Sequence, residues 1–283
     1  MFSSYYNIFF NYMKKTVVLM GGLGNVLYQI NLANVLVKEG FEVKLNTFLL
    51  SNSFVTNLLG WKTYDINDYK IDFFNYYNLK TENKFSLNLV FSYFNLKIIN
   101  NLFHCKFFGH DFPRKDELLN CNFFFGYFQK TQYITQEIKE SFEKKFKAEI
   151  SFSLKTKLID DTIALIHFRG GDKSKDEVFS TSYKKIIENN IYSGFIIVTD
   201  DIENAKFYFR NFKKKFYYIS SKNMLLDFKI IQTAKIKYLA RSSFSWWAAE
   251  LSDSKCEIYQ PKPFYKHVNW NPHSEINRYE YET

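Results

Sequence analysis

The apolar positions of this chain alternate between two periods. Residues 16–20 form a short β-branched run, read as a strand. Gly21-Gly22-Leu23-Gly24-Asn25 follows as a turn. From 26 to 39, Leu27, Ile30, Ala33, Asn34 and Val37 recur at helical spacing, and Gly40 suits the carboxyl cap. Residues 41–45 alternate as a second strand. A strand, a helix and a strand in that order imply a parallel pair. Between 61 and 112 the periodicity weakens in a stretch rich in Asn, Tyr, Phe and Lys, read as mixed helices and loops. A strand running into a loop is expected over 122–129. A charged helix is expected over 135–147, with Ile138, Phe142 and Phe146 on its apolar side.

Near residues 147–158 the pattern restarts. Strands are expected at 162–166, 194–199, 216–219 and 236–240, with helices at 182–190, 202–212, 224–233 and 245–251. The class is α/β. The expected organisation is two Rossmann-like domains, 1–150 and 151–283, facing across a cleft.

Composition narrows the possibilities. At 283 residues with 46% hydrophobic content, the chain can build substantial cores, which excludes global disorder. The net charge of +9 favours anionic partners: phosphorylated substrates, acidic lipid surfaces or nucleic acid. No basic motif of a nucleic-acid fold is present, so nucleic acid ranks last. Cys105, Cys121 and Cys256 form neither a CxxC pair nor an even framework, which favours a reducing compartment. No apolar run approaches the ~18 residues that span a bilayer. Residues 1–12 make a poor signal peptide, so Met13 is read as the native start, or 1–12 as a loosely held extension.

Four segments carry chemistry. The Gly21–Gly24 turn joins a strand to a helix, where backbone N–H groups hold an anion or simply close a tight turn. A dinucleotide fingerprint is disfavoured, because Leu27 stands at the third glycine position and no acid closes the second strand. The run Ile163-Ala164-Leu165-Ile166 ends in His167-Phe168-Arg169-Gly170-Gly171-Asp172. His167 and Arg169 are two apart on an extended segment, so they share a side. Arg169 can fork onto phosphate oxygens, or pair with Asp172. Thr199-Asp200-Asp201 ends another strand. Its acids suit ribose hydroxyls, guanine N–H groups or a metal, or one of them caps the next helix. No DxD spacing supports the metal. Arg241-Ser242-Ser243-Phe244-Ser245-Trp246-Trp247 opens a helix. It reads as a phosphate cradle, or as an ordinary cap by Ser243 or Ser245 with both Trp in the core.

Taken together with Gly126-Tyr127-Phe128-Gln129, these segments resemble, in order, the motifs of the bacterial α-1,2-fucosyltransferases (glycosyltransferase family 11-like). The resemblance covers about 17–263. It implies a GT-B-like fold, with GDP-fucose bound mainly by the C-terminal half. It implies inverting transfer without a metal or other cofactor, to a galactose-type hydroxyl in α-1,2 linkage. Arg169 then stabilises the β-phosphate, with Ser242, Ser243 and the N–H groups around Phe244 assisting. His167 and one of Asp200 and Asp201 fix the guanine or ribose. Asn25, Gly22 and Gly24 reach the sugar and acceptor. The family's second arginine is Gly170 here, and Lys173 is a partial replacement. By likeness to the α-1,6-fucosyltransferases, Glu177 is the candidate general base, with Asp172 second. The implied partners are a GDP-sugar and a glycan acceptor, lipid-linked when it is a growing lipopolysaccharide O-antigen. The implied location is the cytoplasm, with peripheral contact at the anionic inner face of the membrane. Another GDP-sugar donor, or a non-catalytic nucleotide- or glycan-binding homologue, stays open because of Gly170.

Overall fold

The structure is a computed structural model describing residues 14–52, 79–94, 104–146, 148–169, 178–188, 191–221, 223–262 and 278–282. The chain forms two compact units, Met1–Ile138 and Lys139–Thr283. Each is an α/β unit built on a parallel sheet.

The first unit contains β1 (Lys14–Val18), α1 (Leu23–Lys38), β2 (Glu42–Asn46), α2 (Phe48–Ser51), β3 (Lys80–Glu82), α3 (Leu87–Phe94), β4 (Cys105–Phe107), α4 (Lys115–Asn120) and β5 (Phe123–Phe125). Its sheet runs β3-β2-β1-β5-β4, and every pair is parallel. The strand order therefore reverses between β1 and β5. In open α/β sheets such a reversal opens a crevice beyond the carboxyl ends of the strands. α1 is buried over most of its surface. It closes as expected at Gly40, whose N–H donates to Val37 O at 3.0 Å while the Phe41 N–H donates to Leu36 O at 3.1 Å. The stretch read as helices and loops holds two strands, β3 and β4. Each has three residues, too few for a period-2 pattern to show.

The second unit contains α6 (Phe152–Leu158), β6 (Ile163–Phe168), α7 (Val178–Glu188), β7 (Gly194–Thr199), α8 (Ile202–Phe209), β8 (Lys215–Ile219), α9 (Met224–Thr233), β9 (Ile236–Tyr238), α10 (Ser243–Glu250), β10 (Glu257–Lys262) and β11 (Arg278–Glu282). Its sheet order is β11-β10-β9-β6-β7-β8, again all parallel, and the reversal falls between β6 and β9. Alternation along β6 sends Ala164, Ile166 and Phe168 into a core with Tyr183 of α7 and Phe209 of α8. His167 therefore takes the other face. Both Trp246 and Trp247 are fully buried, the core role anticipated for them.

The division between units lies inside α5 (Gln136–Lys145), a dozen residues before the expected 150. Side-chain packing is the reason. Lys139 pairs with Glu250 at 2.7 Å, Phe142 meets the Trp247 edge at 5.4 Å, and Phe146 stacks on Phe228 at 4.3 Å. The apolar face of α5 thus belongs to the core of the second unit. Cys105, Cys121 and Cys256 are free thiols. Among the described residues, no helix is long and apolar enough to cross a membrane.

Candidate functional site

In the second unit the strand pairing assembles the site. The β6–β7 register pairs His167 with Val198 and Phe168 with Thr199. One step further, Arg169 stands beside Asp200, with Nε 3.7 Å from Oδ2. On the other flank of β6, Arg169 Nη1 donates to Ser242 Oγ at 3.3 Å. Ser242 follows β9, so the guanidinium sits where the strand order reverses.

Ser242 also organises the helix behind it. Its Oγ accepts the Phe244 N–H at 3.3 Å, which makes it the N-cap of α10. This corrects the expectation that Ser243 or Ser245 caps. Ser245 is fully buried and donates to Ala240 O and Ser242 O, bracing the turn from inside. Ser243 and Phe244 are half-buried in the first turn.

The two adjacent acids have different roles. Asp201 Oδ1 accepts the Asn204 N–H at 3.0 Å and caps α8, and its own N–H donates to Thr199 Oγ1 at 3.0 Å. Of the pair read as ligand-binding, Asp201 is therefore the cap, and Asp200 is the acid beside Arg169.

His167 and Phe168 extend β6 beyond the expected end at 166. His167 is buried, with its ring 5.9 Å from that of Phe244. Burial, and then the charge of Arg169, push its pKa from 6.5 down to about 3, so the ring is neutral. Its Nδ1 is buried with no hydrogen-bond partner among the described residues. Arg241, next to Ser242, is also buried, a guanidinium that pattern reading did not single out.

In the first unit, α1 begins at Leu23 rather than at 26, with Gly22 as its N-cap. Gly24 and Asn25 thus lie in the first turn, Gly24 buried and Asn25 half-buried. Gly21 has φ +79°, and a Cβ there would meet Asn25 Nδ2 at 2.6 Å. Asn25 and Gln29 share one helix face at i, i+4. Gln29 Oε1 accepts the Met20 N–H at 3.0 Å, and its Nε2 donates to Gly126 O at 3.0 Å, tying β1 to the loop after β5. A Cβ on Gly126 would lie 3.0 Å from Gly109 O, so the two loops approach there backbone to backbone. Asn25 Oδ1 accepts from Gln129 Nε2 at 2.8 Å, and Gln129 Oε1 lies 2.8 Å from His110 Nδ1. His110 and Gln29 were not anticipated. Gln29 was detectable as a polar residue on an apolar helix face.

Gly170, Gly171, Asp172, Lys173 and Glu177 lie outside the described residues. Among the described residues, no group of three or more His, Cys, Asp or Glu could hold a metal ion.

No protein-family model matches the chain. The chain is 24% identical over 284 residues to an alpha-1,2-colitosyltransferase from Escherichia coli, a match spanning 89% of this chain and 93% of that one. This likeness supports a place among the glycosyltransferases. A crystal structure of POFUT1 in complex with GDP, 9% identical, covers 95% of this chain and 98% of that chain at a TM-score of 0.37, an overlap that decides nothing about this chain.

Proposed function

We propose that this chain is an inverting, metal-independent glycosyltransferase that moves L-fucose from GDP-fucose to a galactose-type hydroxyl in α-1,2 linkage during surface-glycan synthesis. The observation carrying the reading is Arg169, held between Ser242 and Asp200 where β6 and β9 diverge. In such a transfer the acceptor oxygen attacks the anomeric carbon opposite the leaving diphosphate. Charge then grows on the β-phosphate. A fixed guanidinium and the N–H groups opening α10 are suited to stabilising that charge. Ser243 stands in that first turn, the Phe244 N–H being bonded to Ser242 Oγ, and by the family resemblance Lys173 is a partial replacement for the second arginine. The buried, unpaired Nδ1 of His167 beside Arg169 suits a hydrogen bond to ribose or base. Asp200, exposed at the end of β7, suits ribose hydroxyls or guanine N–H groups. In the first unit, the carboxyl edge at Gly22, Gly24 and Asn25 supplies the acceptor-side groups.

The α-1,2 linkage is favoured by the name of the relative, which also speaks of a colitosyl rather than a fucosyl group. A second reading therefore gives this chain a nucleotide-linked colitose as donor, and Gly170 in place of the family's arginine favours a donor other than fucose equally well. Lipid-linked acceptors would place the protein at the inner face of the cytoplasmic membrane, where its net charge of +9 attracts anionic lipid. Calorimetry with GDP, GDP-fucose and UDP, followed by product analysis on a galactoside, tests the proposal. Preference for UDP over GDP would end it. GDP binding without transfer from any GDP-sugar would favour a non-catalytic homologue.

A further inference from the structure

We propose that the amino edge of the second sheet, beneath β6, β7 and β8, is a docking surface for a bilayer of anionic phospholipid. The proposal deepens the membrane location in the reading above by naming the surface that makes the contact. It does not depend on the transfer step.

Three apolar side chains stand out to solvent at this edge: Phe152 is 86% exposed, Ile159 54% and Ile191 75%. In α6 and its cap, Phe152, Lys155, Thr156 and Ile159 recur at i, i+3, i+4 and i+7 and all are exposed, whereas Leu158 is buried. The helix therefore turns a stripe of Phe, Lys and Ile outward. Ile159 closes α6 and leads toward β6, Ile191 leads toward β7, and Lys213 and Lys214 lead into β8, which opens at Lys215. These strands are adjacent and parallel, with Ile163 in register with Gly194 and Gly194 with Lys215. Neighbouring strands lie about 4.8 Å apart, so the three leading segments stand side by side.

Hydrogen bonds hold the segments together. The Ser193 N–H donates to Thr162 O at 2.8 Å, and Lys214 Nζ donates to Tyr192 O at 2.7 Å. Lys157 and Lys215 both lie over the Tyr217 ring, at 5.4 and 5.2 Å, which joins the end of α6 to the start of β8. Positive charge gathers here through Lys155, Lys157, Lys213, Lys214 and Lys215. Among the described residues, the acids leading into these strands are Asp160, Asp161 and Glu188. Asp161 pairs with Lys235, and Glu188 pairs with Lys184 at 3.9 Å. Asp160 Oδ1 accepts from the Thr162 N–H and Oγ1, both at 2.8 Å. The lysines thus keep a local excess of charge.

Single exposed apolar groups are ordinary on a protein surface. Here they stand among lysines, the composition that suits an anionic bilayer: apolar side chains enter the headgroup boundary while ammonium groups meet lipid phosphates. Nucleic acid would use the lysines and leave the apolar side chains without a role. Docking by this edge also keeps the candidate site open. Arg169 follows the far end of β6, about 17 Å away for a strand of this length. That is a height suited to sugars distal to a lipid anchor.

Cosedimentation tests the proposal, with vesicles of phosphatidylcholine alone against phosphatidylcholine containing about one-third phosphatidylglycerol. Wild type should bind the anionic vesicles at low salt, leave the neutral ones, and be largely released at about 1 M salt, where screening falls to about 3 Å. Lys213→Gln with Lys215→Gln should weaken partition by about fivefold per lysine. Phe152→Ser, Ile159→Ser and Ile191→Ser together should weaken it at least about tenfold. All five positions are exposed, so Tm read without lipid should hold in both variants. Wild type that ignores anionic vesicles, or binds neutral ones equally well, would overturn the proposal. So would an apolar variant that binds like wild type, since charge alone would then be at work, as for a nucleic acid. Vesicle binding by a protein that takes up no guanine nucleotide would uphold this surface while ending the transfer reading.

Discussion

Arg169 and Ser242 are 73 positions apart in the chain and 3.3 Å apart in space, the guanidinium donating to the hydroxyl that caps α10. One serine oxygen thus fixes both a helix start and a cation, at the place where the second sheet reverses its strand order. Replacing Arg169 with Ala should lower kcat/KM for transfer by roughly 100- to 1,000-fold, the cost typical of losing one preorganised donor at a developing oxyanion. Arg169→Lys should recover little of that loss, because an ammonium cannot span Ser242 and Asp200 as a planar fork does. Steady-state kinetics with a GDP-sugar and a galactoside would check both. Near-normal turnover in Arg169→Ala would refute the role.

Ser242→Ala should act on stability and catalysis together. Loss of the cap costs about 1 kcal/mol, which for a unit of this size lowers Tm by roughly 2–4 °C. Arg169 also loses its tether, so kcat should fall as well. Differential scanning calorimetry and steady-state kinetics on the one variant read the two effects.

The adjacent acids should separate cleanly. Asp201→Ala removes the α8 cap and should cost about 1 kcal/mol of stability with GDP affinity nearly intact. Asp200→Ala should do the reverse, weakening GDP binding in titration calorimetry while Tm holds. Equal effects in both variants would contradict the division of roles.

The buried His167 makes stability depend on pH. Its folded pKa is depressed to about 3, first by burial and then by Arg169, whereas the unfolded chain takes up its proton near 6.5. The unfolded state therefore binds more protons between those values, so stability is full above about pH 6.5 and declines as pH falls toward 3. The slope attributable to this group is at most ~1.4 kcal/mol per pH unit. Urea melts across that range should show a flatter decline in His167→Asn. An unchanged profile would mean that the ring is not held neutral.

Gly21→Ala should disturb the first unit through Asn25. The backbone at φ +79° disfavours a side chain, and the new Cβ would press on Asn25 Nδ2. The Asn25–Gln129 bond should loosen, and Tm should fall by the few degrees expected of about 1 kcal/mol. Gly40→Ala is the control: its φ is also positive, but nothing lies within 4 Å of the added methyl.

Much of the frame was legible along the chain. The apolar run at Gly194–Thr199 and the helical spacing at Met224–Thr233 coincide with β7 and α9 to the residue, because both follow from local period and flanking caps. The expected end of β6 at 166 was early. His167 looks like a boundary by polarity, yet its backbone continues the ladder to Phe168↔Thr199. β10 went unread because Pro261 lies inside it, and proline argues against a paired strand until a partner such as β11 is known.

The sequence by itself determined that the chain alternates strand and helix in two α/β blocks, and which loops hold the arginine, the acids, the serines and the amides. Periodicity and motif order are properties of neighbours along the chain, so they can be read there. Only the tertiary structure decided which acid caps and which faces Arg169, which serine holds it, and that His110 reaches Gln129. Those choices depend on strand order and register, which bring together atoms from 19 to more than 100 residues apart, and a one-dimensional pattern carries no record of those distances.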